Sequence, residues 1–208
     1  YDKNESSGTF TSGGSMAVFT AVDVAIKKVK REFESRGKTI NEPLVILTNP
    51  FAHYSLHKAI DALGGPNRMI ETVFVETKNF KVDPIDLHNK VDEYLGQNRI
   101  IAGIYAVAGE TETGVVDPLH AISEIAQEHG IYTIADGAFG APYKISKKSE
   151  LFDGLDKFSA IIIDGHKTLY TPYSNGAVLF KDKHDHVLLN LGVKAPYVGF
   201  EEREEELL

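Results

Sequence analysis

Cysteine is absent from the 208 residues, which removes disulfides, a thiolate nucleophile and Cys-type zinc sites together. Positive charge is scarce as well: 22 Lys and Arg against 30 Asp and Glu leave a formal net charge of -8. That balance gives neither nucleic acid nor an anionic lipid surface an electrostatic footprint, and it favours small-molecule partners. No apolar run reaches the length of a membrane span, and the first residues lack the basic and apolar segments of a secretory signal, so a cytoplasmic setting is expected. There is no internal repeat and no low-complexity linker. Also missing are the Gly-Lys-Ser/Thr ending of a P-loop, the Rossmann glycine fingerprint and a Gly-x-Ser-x-Gly elbow, which leaves nucleotide binding by those motifs and acyl transfer by a serine triad without support.

What is present is an alternation of two periods. The hydrophobic content of 42% is ordinary for a globular chain, and the length suits one sizeable core. After the turn Thr11 to Ser15, Val18, Val22, Ile26, Val29 and Phe33 recur at spacings of three and four, which predicts an amphipathic helix with Lys27, Lys28, Lys30 and Arg31 on its other face. A helix is expected from Ser55 to the stop at Gly64-Gly65-Pro66. Asp83-Pro84 and Asp117-Pro118 each offer an N-cap acid followed by proline at the first helical position. Between these lie short apolar runs of strand length: Leu44 to Leu47, Glu71 to Glu76, Ile100 to Val107, Ile131 to Ala135, Ala160 to Ile163 and Gly176 to Phe180. Continuous apolar strands alternating with helices predict an α/β fold, a mostly parallel sheet with helices on both faces. The segment Lys144 to Asp156 is polar and aperiodic, a loop expected to cross the surface near the site. The Glu201 to Glu206 tract, and a start that runs almost directly into a glycine turn, read as the ends of a fragment.

In open α/β sheets ligands collect beyond the carboxyl ends of strands, so residues just after the apolar runs carry the functional interest. Small residues at Ser12-Gly13-Gly14-Ser15 precede a helix, where free N–H groups and the helix dipole favour a phosphate, although such turns are common without one. Asp136 ends one strand and is followed by Gly137 and Ala138, small enough to let a flat ring approach the backbone. His166-Lys167 follows another strand. A lone lysine there is ordinarily solvated. An acid able to protonate a pyridine nitrogen together with a lysine able to form a Schiff base is, however, the pairing that a pyridoxal 5'-phosphate enzyme requires. His53 also follows a strand and is placed to cover a ring face or simply to start a helix. Thr111, in Gly109 to Gly114, either contacts a cofactor or shapes its loop. The polar run Lys181 to His186 has metal-ligand residue types but reads as a solvated turn.

Five segments in one order carry a resemblance: Ser12 to Ala17, His53 to Ala59, Gly109 to Pro118, Ile134 to Ala141 and Asp164 to Lys167. They are close to the patterns Ser-Gly-Gly-Thr-Glu-Ala, His-x-Ser-x-x-Lys-Ala, Gly-x-Thr-x-x-Gly-x-x-Asp-Pro, His-Val-Asp-Ala-Ala-Tyr-Gly-Gly and Asp-Pro-His-Lys. The chain thus resembles the group II pyridoxal-phosphate-dependent amino-acid decarboxylases, a branch of the aspartate-aminotransferase fold type. In flavour it is nearest to bacterial and archaeal tyrosine, aspartate or glutamate decarboxylases, and Tyr170 to Tyr173 with Gly176 to Asp182 look like their post-lysine strand.

The resemblance implies an enzyme, a carboxy-lyase acting on an amino acid. Catalysis would fall to Lys167 as the Schiff-base lysine, His53 stacked on the ring and Asp136 on the pyridine nitrogen. Ala138 would lie beneath the ring with Thr111 near it, and Gly14, Ser15 and His166 would hold the phosphate. It further implies that residues 1–208 are a partial cofactor-binding large domain, lacking an N-terminal segment and a C-terminal small domain, from a protein whose sites form across a homodimer. Departures are Met16 for the usual acid, Gly137 and Ala141 for other small residues, Ile134 where histidine is frequent, and Gly165 for proline. Two other readings share these residues: a carbon–carbon lyase resembling the sphingosine-phosphate lyases, and a catalytically silent binding or oligomerisation module.

Overall fold

The computed structural model describes residues 1–190; the acidic Glu201 to Glu206 tract lies outside the described residues. Strands β1 (Ser7–Thr11), β2 (Leu44–Thr48), β3 (Ile70–Phe74), β6 (Ile101–Val107), β7 (Thr133–Asp136), β8 (Ala160–Ile163) and β9 (Gly176–Phe180) form one seven-stranded sheet in the order β1-β9-β8-β7-β6-β2-β3, while β4 (Thr77–Lys78) and β5 (Lys81–Val82) make a separate small hairpin. The neighbours from β3 through β8 are parallel, and β9 is antiparallel to both β8 and β1. The expected α/β class is therefore what folds.

Helices α1 (Gly14–Ser35) and α2 (Ser55–Gly64) cover one face, and α3 (Pro84–Gly96) and α4 (Leu119–His129) cover the other. Strand alternation divides the core between them: Leu44 and Ile46 of β2 join the α1 side, while Val45 and Leu47 join the α3/α4 side. Val18, Val22 and Ile26 of α1 are buried in that first core. Each such side chain contributes roughly 1.5–3 kcal/mol relative to leaving it exposed.

Strand β6 breaks its own alternation. Its pairing with β2 shifts between Ile101 and Gly103, so Ile101 and Ile104 face the same core although they are three residues apart. The extra residue is a bulge, and it turns Tyr105 onto the α1 side together with Ile134 of β7. Without it the tyrosine would face the other layer, away from Asp136.

Several expectations are corrected. The residues before the glycine turn form strand β1, whose alternating burial marks an edge strand with one face on the protein. Asp83 caps α3, accepting from the Ile85 N–H at 3.2 Å with Pro84 at the start. Asp117 does not cap α4. Its carboxylate is buried and accepts instead from Val107 N at 2.7 Å, Val82 N at 2.9 Å and Asn49 Nδ2 at 2.9 Å, tying β6, β5 and the end of β2 together. Burial raises the Asp117 pKa, and these three donors oppose that rise without cancelling it.

The segment 144–156 is a series of short 3-10 turns that buries Phe152 and Leu155 against the α3/α4 core, and none of its residues lines the cavity described below. Tyr170 to Tyr173 precede β9 as irregular backbone and belong to no strand. In the Lys181 to His186 run, Asp182 and His184 are exposed as expected of a solvated turn, whereas Asp185 is buried, accepting from Lys28 Nζ at 2.6 Å and the Tyr132 hydroxyl at 2.9 Å.

Candidate functional site

At the carboxyl ends of the parallel strands lies a cavity of about 420 Å³. It is lined by the eight residues to which the resemblance gives a catalytic or cofactor-binding role: Gly14 and Ser15 at the start of α1, His53 just before α2, Thr111 in the loop after β6, Asp136 and Ala138 at the end of β7, and His166 and Lys167 after β8. The topology explains the convergence. Because β9 is antiparallel to its neighbours on both sides, β1 points the same way as β8, and the glycine turn that follows β1 arrives at the same edge as Asp136 and Lys167.

Asp136 is 8% exposed and accepts from the Tyr105 hydroxyl at 2.6 Å and from Ala138 N at 3.2 Å. Tyr105 is fully buried in β6, and burial, then the charge of Asp136, pushes its pKa well above the ordinary phenol value. The tyrosine therefore stays a donor, and it holds the carboxylate at a fixed position facing the cavity. Behind it the backbone leaves no room: a Cβ on Gly137 would run into the Ala141 side chain. The two small residues that depart from the family pattern are thus packed on each other.

Lys167 sits on a one-turn helix, α5 (Gly165–Thr168), and its Nζ lies 3.1 Å from Asp164 Oδ2. Asp164 is 2% exposed. His166 Nε2 is 3.8 Å from the same oxygen, while the other oxygen, Oδ1, is buried with no hydrogen-bond partner among the described residues. This carboxylate is pressed against the start of α1: a Cβ added to Gly14 would lie 2.5 Å from Asp164 Oδ2. Glycine is needed there for close approach. His166 is anchored from behind, with Nδ1 2.8 Å from the Asn175 carbonyl, and its ring meets Tyr173 at 4.2 Å.

On the opposite side, His53 Nδ1 lies 2.8 Å from Ser55 Oγ and 3.3 Å from Ser55 N. A backbone N–H can only donate, so Nδ1 is the accepting nitrogen and Nε2 carries the proton. Ser15, Met16 and Thr111 are exposed on the cavity wall. Glu110, beside Thr111, had no role in the sequence reading and also lines the cavity. Burial pushes its pKa up, but N–H groups of Glu112 and Thr113 and the Thr113 hydroxyl together hold it below the ordinary carboxylate range, so it acts as the internal clasp of its loop. Tyr105 and Asp164 were likewise without a role. A hydroxyl in the middle of an otherwise apolar buried run was the available signal for the first; for the second it was an acid closing the strand three residues before the lysine.

Residues 1–204 match the pyridoxal-dependent decarboxylase conserved domain. The chain belongs to that family. Among curated relatives it is 34% identical over 195 residues to an aspartate 1-decarboxylase of Aliivibrio fischeri, covering 88% of this chain and 36% of the relative. It is 29% identical over 196 residues to an L-2,4-diaminobutyrate decarboxylase of Rhizobium meliloti, covering 94% and 38%. A solved structure, the glutamate decarboxylase domain of a diaminobutyrate-pyruvate transaminase and L-2,4-diaminobutyrate decarboxylase from Vibrio parahaemolyticus, superposes with a TM-score of 0.80 at 24% identity, over 90% of this chain and 42% of that one. This last likeness supports the fold. The chain spans little more than a third of the length of these curated relatives. Among the described residues no helix is long and apolar enough to cross a membrane.

Proposed function

We propose that this chain is the cofactor-binding core of a pyridoxal 5'-phosphate-dependent carboxy-lyase, which removes the carboxylate of an L-amino acid of the tyrosine, glutamate or aspartate type. The observation that carries the reading is the meeting, in one cavity, of a buried hydrogen-bonded carboxylate, a lysine amine and a glycine turn at the head of a 22-residue helix. The residues fit the group. The cavity lies in the size range of cofactor sites, and Asp136, Lys167 and the first backbone N–H groups of α1 bring together an acid for a pyridine nitrogen, an amine and donors for a phosphate.

Bound there, pyridoxal 5'-phosphate would supply an electron sink for the carbanion formed when a bond to the substrate's Cα is broken. The chain's own groups do the rest. Gly14, Ser15 and His166 hold the phosphate, with the α1 dipole behind them. Asp136, fixed by Tyr105, keeps a proton on the pyridine nitrogen. His53, held by Ser55, covers one ring face; Ala138 leaves room at the other, and Thr111 closes the side. Lys167 supplies the amine that attaches the cofactor, and Asp164 positions it.

Residues 1–208 act in this reading as one large domain of a longer cytoplasmic protein. The exposed Phe51, Tyr54, Phe139 and Tyr173 around the cavity mouth form the surface covered by the rest of that protein and by its second subunit in a homodimer. The substrate's side chain is recognised by those missing parts, so the relatives' different named substrates are compatible with one core.

The test is to add pyridoxal 5'-phosphate to the purified chain and to its full-length parent, reduce with borohydride and map the modified residue by mass spectrometry. A pyridoxyl group on Lys167, and release of CO2 from an amino acid by the parent, are expected. Modification elsewhere, or none in either protein, overturns the proposal.

A further inference from the structure

A second group of side chains lies away from this cavity, on the α3/α4 layer. His88 and Asp92 are one turn apart on α3, while Glu128 and His129 close α4. Donor atoms of His88, Glu128 and His129 all lie within 4.8 Å of one another. Asp92 stands between the imidazoles: His88 Nε2 is 3.5 Å from its Oδ2 and His129 Nε2 is 3.8 Å from its Oδ1. Both separations exceed a good N–H···O hydrogen bond. His129 Nε2 is moreover a buried nitrogen with no hydrogen-bond partner among the described residues, although its ring and that of His88 are only 6.2 Å apart between centroids. Three ligand-type groups from two helices thus converge, with a fourth, Asp92, beside the two imidazoles.

We propose that His88, Glu128 and His129, with Asp92 beside them, bind a divalent transition metal ion of the Zn²⁺ class and so staple α3 to α4. Zinc–nitrogen bonds of about 2.0–2.1 Å put ligand atoms about 3.3 Å apart around a tetrahedral ion, so donors separated by up to 4.8 Å close by at most about 1.5 Å. His88 and Asp92, with side chains 44% and 56% exposed, are free to make that movement, whereas His129, at 20%, supplies the fixed ligand. Two imidazoles and carboxylates without a thiolate suit Zn²⁺, Ni²⁺ or Cu²⁺ and not Mg²⁺ or Ca²⁺. Two carboxylates also supply the negative charge that offsets a divalent ion. The site is independent of the cofactor reading. His129 borders a second cavity, of about 850 Å³, formed at the amino ends of the strands, and this shares no lining residue with the first.

The experiment is a calorimetric titration of zinc chloride into the chain, repeated with magnesium chloride, and a visible spectrum with Co²⁺ as a stand-in whose absorption reports imidazole ligation. One saturable Zn²⁺ site is expected, with no Mg²⁺ binding. The double variant His88→Ala/His129→Ala should bind about a hundredfold more weakly, and Glu128→Gln, at an exposed position that leaves the fold intact, about tenfold more weakly. His184→Ala, beside Asp182 on the exposed turn, should leave the affinity unchanged. No saturable Zn²⁺ binding by the parent chain, an affinity indifferent to both the double variant and Glu128→Gln, or a loss confined to His184→Ala overturns the proposal.

Discussion

The two edges of the sheet use the same residues to opposite ends. At the amino edge, buried Asp185 takes a lysine at 2.6 Å and a tyrosine hydroxyl at 2.9 Å on its two oxygens, and the group is closed. At the carboxyl edge the lysine and the tyrosine are divided between two aspartates: Tyr105 goes to Asp136 at 2.6 Å and Lys167 to Asp164 at 3.1 Å. Among the described residues each of these acids is left incomplete, Asp136 with a 3.2 Å backbone contact on its second oxygen and Asp164 with no partner on Oδ1. Burying an unsatisfied carboxylate oxygen is unfavourable and survives where something else is to be bound. The closed triad serves stability; the open pair faces the cavity.

The largest effect separating the edges is expected at Asp136. In the full-length protein Asp136→Asn should lower turnover by a hundredfold or more, on the order expected when a charge aimed at the reacting system is removed, while an oxygen remains to accept from Tyr105. Asp136→Ala should lose activity to the same extent and also unfold more easily, by about 1–3 kcal/mol, because the buried Tyr105 hydroxyl is left without an acceptor. Steady-state rates set beside urea unfolding midpoints distinguish the two contributions. Near-normal turnover in Asp136→Asn would remove Asp136 from the proposed chemistry.

At the closed edge the order reverses. Asp185→Ala leaves the buried Tyr132 hydroxyl unpaired, and Lys28, which is 43% exposed, falls back on Asp182 at 3.4 Å and on water. A loss of about 2–3 kcal/mol in urea unfolding is expected, with the affinity for pyridoxal 5'-phosphate unchanged. If cofactor affinity fell as far as stability, the separation of the edges would fail.

How much of this was legible in the sequence follows from which interactions are local. The strands and helices were readable because period-two and period-3.6 patterns are written in consecutive residues, and Asp83 was correctly read as a cap because its partner, Ile85 N, is two positions away. Asp117-Pro118 has the same local spelling, yet its carboxylate is claimed by groups from β6, β5 and Asn49, the last 68 positions distant. Nothing within the dipeptide encodes that. Strand β1 was missed for the same reason, since a short edge strand with one exposed face is defined by its pairing with β9, about 170 residues later. The cavity residues were legible as strand-end motifs. Their supports were not: Tyr105 reaches Asp136 only because a bulge in β6 resets its face, a matter of register with β2.

The smallest and sharpest test lies on Asp164, whose carboxylate occupies the position nearest the head of α1. The carboxylate lies against that helix start, with Lys167 Nζ 3.1 Å and His166 Nε2 3.8 Å from Oδ2. Asp164→Asn keeps the shape and an acceptor for the Lys167 ammonium but removes one negative charge from the place a phosphate would share. Removing a like charge a few ångströms from a bound anion near solvent is worth on the order of 1 kcal/mol, about a fivefold change in affinity. Inorganic phosphate should therefore bind Asp164→Asn about fivefold more tightly than the parent chain in a calorimetric titration, with the gain shrinking as salt screens the charge. Weaker phosphate binding in the variant would mean that Asp164 assists the anion through a shared proton, and the open acid would then belong to the phosphate site itself.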